Sequence, residues 1–203
     1  MSWRWSPYFE PVEVLSPAGM RYYNKRGQIQ VQGSCLDALV AWRVFWNSGI
    51  IINSKRNKRR GYRSVKEARE VYKQKKRVIY GAHVQGIAFD QTPIRESIFD
   101  FTIGALLWNK KRLFEDKMPF RAIGIYPAMN FMHGDFRTLR YQQFVIWNGN
   151  KSITVVLQDK DLIKMTAQEI ADFLKSNLNV PKKWSIANEK KILELEERTG
   201  YVS

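Results

Sequence analysis

The sequence predicts an α+β fold: a small, mostly antiparallel sheet flanked by helices, with a mixed, largely helical appendage at the C-terminus. Three observations carry that expectation. Short β-branched runs and helix-spaced apolar residues follow one another without a regular βαβ rhythm. Hydrophobic residues make up 44% of the 203 positions and aromatics 13%, enough for one domain with its own core. After Asn148-Gly149-Asn150 the pattern changes character, which divides the chain into a domain over 1–150 and an extension over 151–203.

Taken in order, residues 8–16 read as a docking segment, with Phe9, Val12, Val14 and Leu15 as its apolar contacts. Leu36, Leu39, Val40, Val44 and Phe45 recur at helical spacing and predict a helix over 34–47. The β-branched run after Gly49, through Asn53, reads as a buried strand. A basic loop, Lys55 to Arg60, leads into Gly61-Tyr62-Arg63-Ser64. Ser64 and Glu67 have capping-box spacing, and helix-prone sequence continues to about Lys75. Residues 86–91 predict a short strand, and Thr92-Pro93 a helix start running to Trp108. Further strands are expected at 121–126, 130–135 and 142–147, and one more at 152–157. Thr166 opens a helix with Ile170, Phe173 and Leu174 on its apolar face, Pro181 breaks it, and a last helix spans 187–198 before Gly200.

The net charge of +15 calls for an anionic partner or surface. Nucleic acid and bacterial wall polymers both qualify, but no zinc-finger, RRM-type or helix-turn-helix signature supports nucleic acid. The basic runs at 55–60, 73–77 and 110–112 read first as solvated faces, the first of them also as a cleft margin. No apolar run approaches the roughly 20 residues needed to cross a bilayer, so membrane insertion is not expected. The N-terminal stretch MSWRWSPYFEP lacks a signal-peptide pattern. The single cysteine, Cys35, lies in apolar-periodic sequence and reads as a buried structural thiol, which excludes a cysteine-based zinc finger.

The chain has two histidines, His83 and His133. His83 and Asp90 bracket a phrase whose Gly86 allows a tight turn, so both side chains can face one point. His133 falls on another predicted strand. A lone strand histidine is more often a hydrogen-bonded structural residue, and a His-x6-Asp spacing by itself is a weak signal.

The surrounding phrases carry more. Ala82-His83-x-x-Gly86-x-Ala88-x-Asp90 resembles the S-x-H-x-x-G-x-A-x-D pattern of the zinc D-alanyl-D-alanine carboxypeptidase and L-alanyl-D-glutamate endopeptidase family, distant relatives of the hedgehog signalling domain. Asn53-Ser54, then Gly61-Tyr62-Arg63-Ser64 after the basic loop, resembles its N-S-G-Y-R-S phrase. Tyr126, Pro127, Phe131, His133 and Asp135 match a Y-P-x-S-x-F-V-H-x-D phrase of one branch. Ser6-Pro7-Tyr8-Phe9 and the stretch from Leu36 to Trp46 are also similar to that branch, so the resemblance covers about residues 6–150.

The resemblance implies a Zn2+ ion held by His83, Asp90 and His133, with Arg63 meeting a substrate carboxylate. It implies hydrolysis of peptide bonds in bacterial peptidoglycan, with wall peptides and anionic wall polymers as partners. Without a signal peptide, such a protein would be made in the cytoplasm and act after lysis, as a phage lysin, or on a phage particle beside virion proteins. The base is the departure. Many members place a glutamate shortly before the last histidine, where this chain has Asn130. Asp135, two residues past His133 and on the same strand face, is the remaining candidate. A catalytically inactive virion or wall-binding protein retaining the fold is the alternative, with Tyr62, Tyr80 and Tyr126 as peptide-flanking or core aromatics.

Overall fold

Two apolar surfaces organise the chain, the inner face of a sheet and the helix stripes that cover it. The computed structural model describes residues 8–53, 61–72, 81–139, 142–149, 153–178, 180 and 184–200. The Ser6-Pro7 pair, Ser54, the Lys55–Arg60 loop, the 73–77 run, Tyr80 and Pro181 lie outside the described residues.

The sheet has six strands among the described residues: β1 (Ile50–Ile51), β2 (Ala88–Pro93), β3 (Ala122–Tyr126), β4 (Phe131–Asp135), β5 (Gln143–Asn148) and β6 (Thr154–Gln158), in the order β1-β2-β4-β3-β5-β6. Neighbours are antiparallel except β3 and β5. The α+β expectation therefore holds. One face buries Phe89, Met132, Ile123, Ile125, Phe144 and Ile146. Against it pack α3 (Gly33–Trp46) and α5 (Ile98–Phe114), whose Trp42, Phe101 and Trp108 share one aromatic cluster with Phe120. The Trp42 indole N–H donates to Gln91 Oε1 at 2.8 Å, tying helix to sheet.

Three differences from the sequence expectation have clear causes. Residues 17–26 form a helix, α2 (Pro17–Arg26), after the short α1 (Pro11–Val14); Ser16 caps it, Pro17 fills its first turn, and Gly27 ends it in the left-handed region. Thr92-Pro93 ends β2 instead of starting a helix, because Pro93 pairs with Ile50 where the sheet is nearly at its edge and a missing N–H is tolerated. The true helix start is Ser97, whose hydroxyl accepts from the Asp100 N–H at 3.0 Å, and the helix runs on to Phe114. Val12 and Val44, expected to be apolar contacts, are exposed, whereas Phe9, Val14, Leu15 and Phe45 are buried as expected.

The boundary drawn at residue 150 falls between two paired strands. β6 pairs with β5 along its length. After the short α6 (Asp159–Leu162), α7 (Ala167–Asn177) and α8 (Glu189–Glu197) place Ile170, Leu174, Ile192 and Leu195 in the same core as α5. The Asp100 carboxylate accepts backbone N–H bonds from Ala187 and Asn188, fixing the entry to α8. Arg121, just before β3, pairs with Asp159 at 2.6 Å. The C-terminal segment is thus built onto the sheet and its covering helix.

Cys35 is buried, and burial pushes its thiol up to about 11, in keeping with a structural role. Glu67 on α4 (Val65–Tyr72) joins two helices. It accepts from Ser16 Oγ at 2.5 Å, from the Ala18 N–H at 3.1 Å, and from both the N–H and hydroxyl of Ser64 at 2.9 Å. Burial alone would raise its carboxyl, but the hydrogen bonds from Ser16, Ser64 and Ala18 hold it below the usual glutamate value. A depressed folded-state value stabilises above the unfolded pKa, about 4.3, and that share is lost as pH falls below it. Glu67→Gln should therefore lower stability at pH 7 by about 2 kcal/mol. In urea melts across pH 3–7 it should flatten the acid side of the stability curve; an unchanged acid slope would show that the carboxylate does not hold α2 to α4.

Candidate metal centre

The site is built where β2 and β4 lie side by side. Asp90 and His133 are direct cross-strand partners, so their side chains rise together from the solvent-facing side of the sheet. His83 arrives from the turn that precedes β2. Gly86 makes that turn, with a φ of 69°, and a Cβ there would sit 2.3 Å from the Gln30 carbonyl oxygen. Arg63 follows Gly61-Tyr62, a segment laid against the end of α1 by the Tyr62 N–H to Val14 O and Ser16 N–H to Tyr62 O bonds. The same segment meets the His83 turn through the Arg63 N–H to His83 O bond.

These elements bring His83, Asp90, His133 and Arg63 together. Asp90 Oδ1 lies 3.2 Å from His83 Nε2 and 2.8 Å from His133 Nδ1, and Oδ2 accepts from Arg63 Nη2 at 3.0 Å. The three candidate ligand atoms lie within 4.8 Å of one another. Each imidazole also has its far nitrogen against an acceptor: His83 Nδ1 lies 2.9 Å from the Gly61 carbonyl, and His133 Nε2 lies 3.1 Å from Asp135 Oδ2. With the far nitrogen of a neutral ring carrying the proton, the near nitrogen is left as a lone-pair donor, the outer-shell pattern of metal-ligating histidines. The described residues therefore fit a metal ion.

The charge balance without metal follows from burial. Burial alone would raise the Asp90 carboxyl, but His83 and His133 beside it hold it far below the usual range. Burial lowers His83 and outweighs the pull of Asp90, so this ring is the neutral one. Burial would also lower His133, but hydrogen bonds to Asp135 and Asp90 override it and raise the ring to about 9.

Asp135 lies behind His133 as seen from Asp90. It shares the strand face of His133, as expected, but is fully buried and touches the imidazole on the nitrogen turned away from the site. Its other partner is Arg137, which donates from Nε to Oδ1 at 2.7 Å, from Nη2 to Oδ2, and from its backbone N–H to Oδ1 at 3.2 Å. Burial by itself would raise this carboxyl; His133 and Arg137 bring it down to about 2. A carboxylate so placed is set to orient His133. Arg63 lines the cleft, but its side chain is only 10% exposed and its Nη2 donates to Asp90 Oδ2. Asn130 is an exposed residue in the left-handed region that ends the short 3-10 turn Pro127–Met129.

The three candidate ligands and Arg63 open into a cleft of about 510 Å³, walled by Tyr126, Phe131, Arg137, Val145, Trp147 and Thr154. Tyr126 stacks on Phe131, and Trp147 lies over His133 at 5.5 Å between ring centres. Asp90 is the sole carboxylate among the described residues of the lining. No family model, curated protein or solved structure matches this chain. Its chemistry is therefore read from its own geometry. Sequence reasoning missed Arg137 and Trp147. The His133-x-Asp135-x-Arg137 alternation was the available signal for the first, while Trp147 comes from a strand far along the chain.

Two measurements check this geometry. Gly86→Ala combines left-handed strain with a backbone clash, whereas Gly27→Ala, at a φ of 63° with nothing within 4 Å of its Cβ, carries strain alone. Denaturant melts should show a loss of about 1 kcal/mol for Gly27→Ala and at least about twice that for Gly86→Ala; equal losses would mean the turn yields freely. Asp135→Asn should weaken divalent-metal affinity about 10- to 100-fold in competition with a chromophoric chelator. Unaltered affinity would show that Asp135 does not orient His133.

Proposed function

We propose that this protein is a zinc-dependent peptidase acting on the peptides of bacterial peptidoglycan. The observation that carries the reading is the convergence of His83, Asp90 and His133, each with its outer contacts in place, at the floor of a peptide-sized cleft. Two imidazoles and one carboxylate suit zinc, and three protein ligands leave the fourth position for water or substrate. The resemblance of the three sequence phrases to the wall-peptidase family supports the substrate class. The net charge of +15 suits a wall rich in carboxylate and phosphate. Action after lysis or from a phage particle belongs to the same proposal; among the described residues no helix is long and apolar enough to cross a membrane.

Zinc, when bound, supplies Lewis acidity that polarises an amide carbonyl and makes water more acidic. The chain's own residues do the rest. Arg63 aims Asp90 by holding Oδ2, the Gly61 carbonyl fixes the His83 tautomer, and Asp135 fixes that of His133. Trp147, Tyr126 and Phe131 give the peptide an apolar wall that keeps water away from the scissile bond.

A second reading has a specific observation in its favour. With Asp135 turned behind His133, the described cleft lining offers no acid beyond Asp90 to take a proton from water. A protein of this kind would hold metal and grip wall peptides without cutting them.

Incubation with purified peptidoglycan separates the two. The zinc-loaded protein should release new amino termini, a chelator should stop the release, added zinc should restore it, and His133→Ala should be inactive. A metal-replete protein that sediments with the wall but releases nothing would replace the peptidase reading with the binding one.

A further inference from the structure

We propose that Arg137 is the residue that selects peptides bearing a carboxylate next to the metal centre, an inference that rests on the peptide-binding reading of the cleft. Two arginines reach this cleft, and they are placed differently. Arg63 is 10% exposed and bonded to Asp90. Arg137 lines the cleft with 41% of its side chain exposed, while the carboxylate it holds, Asp135, is fully buried.

The contact is made by one edge of the guanidinium. Nε and Nη2 face the two oxygens of Asp135, which leaves the edge formed by Nη1 and the second Nη2 hydrogen. Among the described residues Arg137 makes no further side-chain hydrogen bond. An arginine bearing on one carboxylate can take a second one end-on through two parallel N–H bonds, and the partner here must come from the cleft. The group is also pre-set. Its Nη2 shares Asp135 Oδ2 with His133 Nε2, so the guanidinium is held in a constant relation to the candidate metal ligand. A receptor already fixed loses little side-chain freedom on binding, and that favours affinity and selectivity.

The chemistry that fits is a planar carboxylate on a short peptide whose apolar part lies along Trp147, Tyr126 and Phe131. It can come from a C-terminal α-carboxylate or from an acidic side chain. Neutral or amidated peptides would leave the outer guanidinium edge facing an unpaired surface.

The test is equilibrium binding by titration calorimetry to zinc-loaded protein, with probes whose central amide is N-methylated to prevent turnover. The probes are N-acetyl-D-alanyl-D-alanine, its C-terminal amide, and N-acetyl-D-alanyl-D-glutamate amidated at its α-carboxyl. The wild type should prefer at least one acid over the amide by about 10-fold, the scale of a charge-assisted bidentate pair. The acid that wins identifies the source of the carboxylate. Arg137→Gln should bring acid and amide within about twofold of each other, and Arg137→Lys should keep only part of the preference. Equal affinity of the wild type for all three, no binding of any, or an undiminished preference in Arg137→Gln would overturn the proposal. The wild-type comparison needs no variant to fold. Because binding is read without cleavage, an acid preference in a protein that fails to release wall fragments would sink the peptidase reading and leave this one standing.

Discussion

A carboxylate buried in a sheet must be neutralised where it stands, and Asp90 is that carboxylate here. It is 7% exposed, and an isolated ionised carboxylate in such a place costs many kcal/mol. Three chain segments supply the compensation: the loop carrying Arg63, the turn carrying His83 and the strand carrying His133. Each must be placed to within a fraction of an ångström for the same reason. The antiparallel register of β2 and β4 sets one, the left-handed Gly86 turn another, and the lacing of residues 61–63 to α1 and to His83 the third. A divalent cation among the same atoms would satisfy the same electrostatic demand.

Behind this group lies a second layer of alternating charge. His133 stands between Asp90 and Asp135, and Asp135 stands between His133 and Arg137. Residues at every second position from β4 onward thus pass from the floor of the candidate metal centre to the cleft wall. Each charge is held by the next, so the His133 ring is kept in one orientation. This is the support that a metal-ligating imidazole needs to keep its lone pair aimed. It also places Asp135 behind His133, on the ring nitrogen turned away from Asp90.

The sheet that carries the site is stiffened from its other face. Trp42, Trp108, Phe101 and Phe120 form a continuous aromatic packing beneath β2 and β4, and α7 and α8 close over α5. Lys110, almost fully buried on α5, donates to the Met165 carbonyl, so even a cation in this layer is used as a hydrogen-bond strut. Side chains borne on strands braced this way move little, which suits a candidate metal centre.

Much of this was legible in the sequence. Periodicity located α3, α7, α8 and the strands β2 to β6, since apolar spacing reports which face of an element is buried. The two histidines stood out because the chain has only two, and the resemblance of the phrases around them to the wall-peptidase family implied Asp90 as their partner. What the sequence did not decide was direction and partnership. Thr92-Pro93 has the local chemistry of a helix start, but pairing with β1 keeps it in the sheet. The 151–203 segment reads as an appendage, and the structure shows β6 pairing with β5 and the helices after it sharing the α5 core. Strand alternation places Asp135 on the face of His133; only the packed structure shows that Arg137 and the imidazole fill its oxygens from the side away from Asp90. Local spacing determines the face from which a side chain leaves the backbone. Which partner satisfies it is decided by contacts between residues distant in the chain, through the burial and the charge they bring with them.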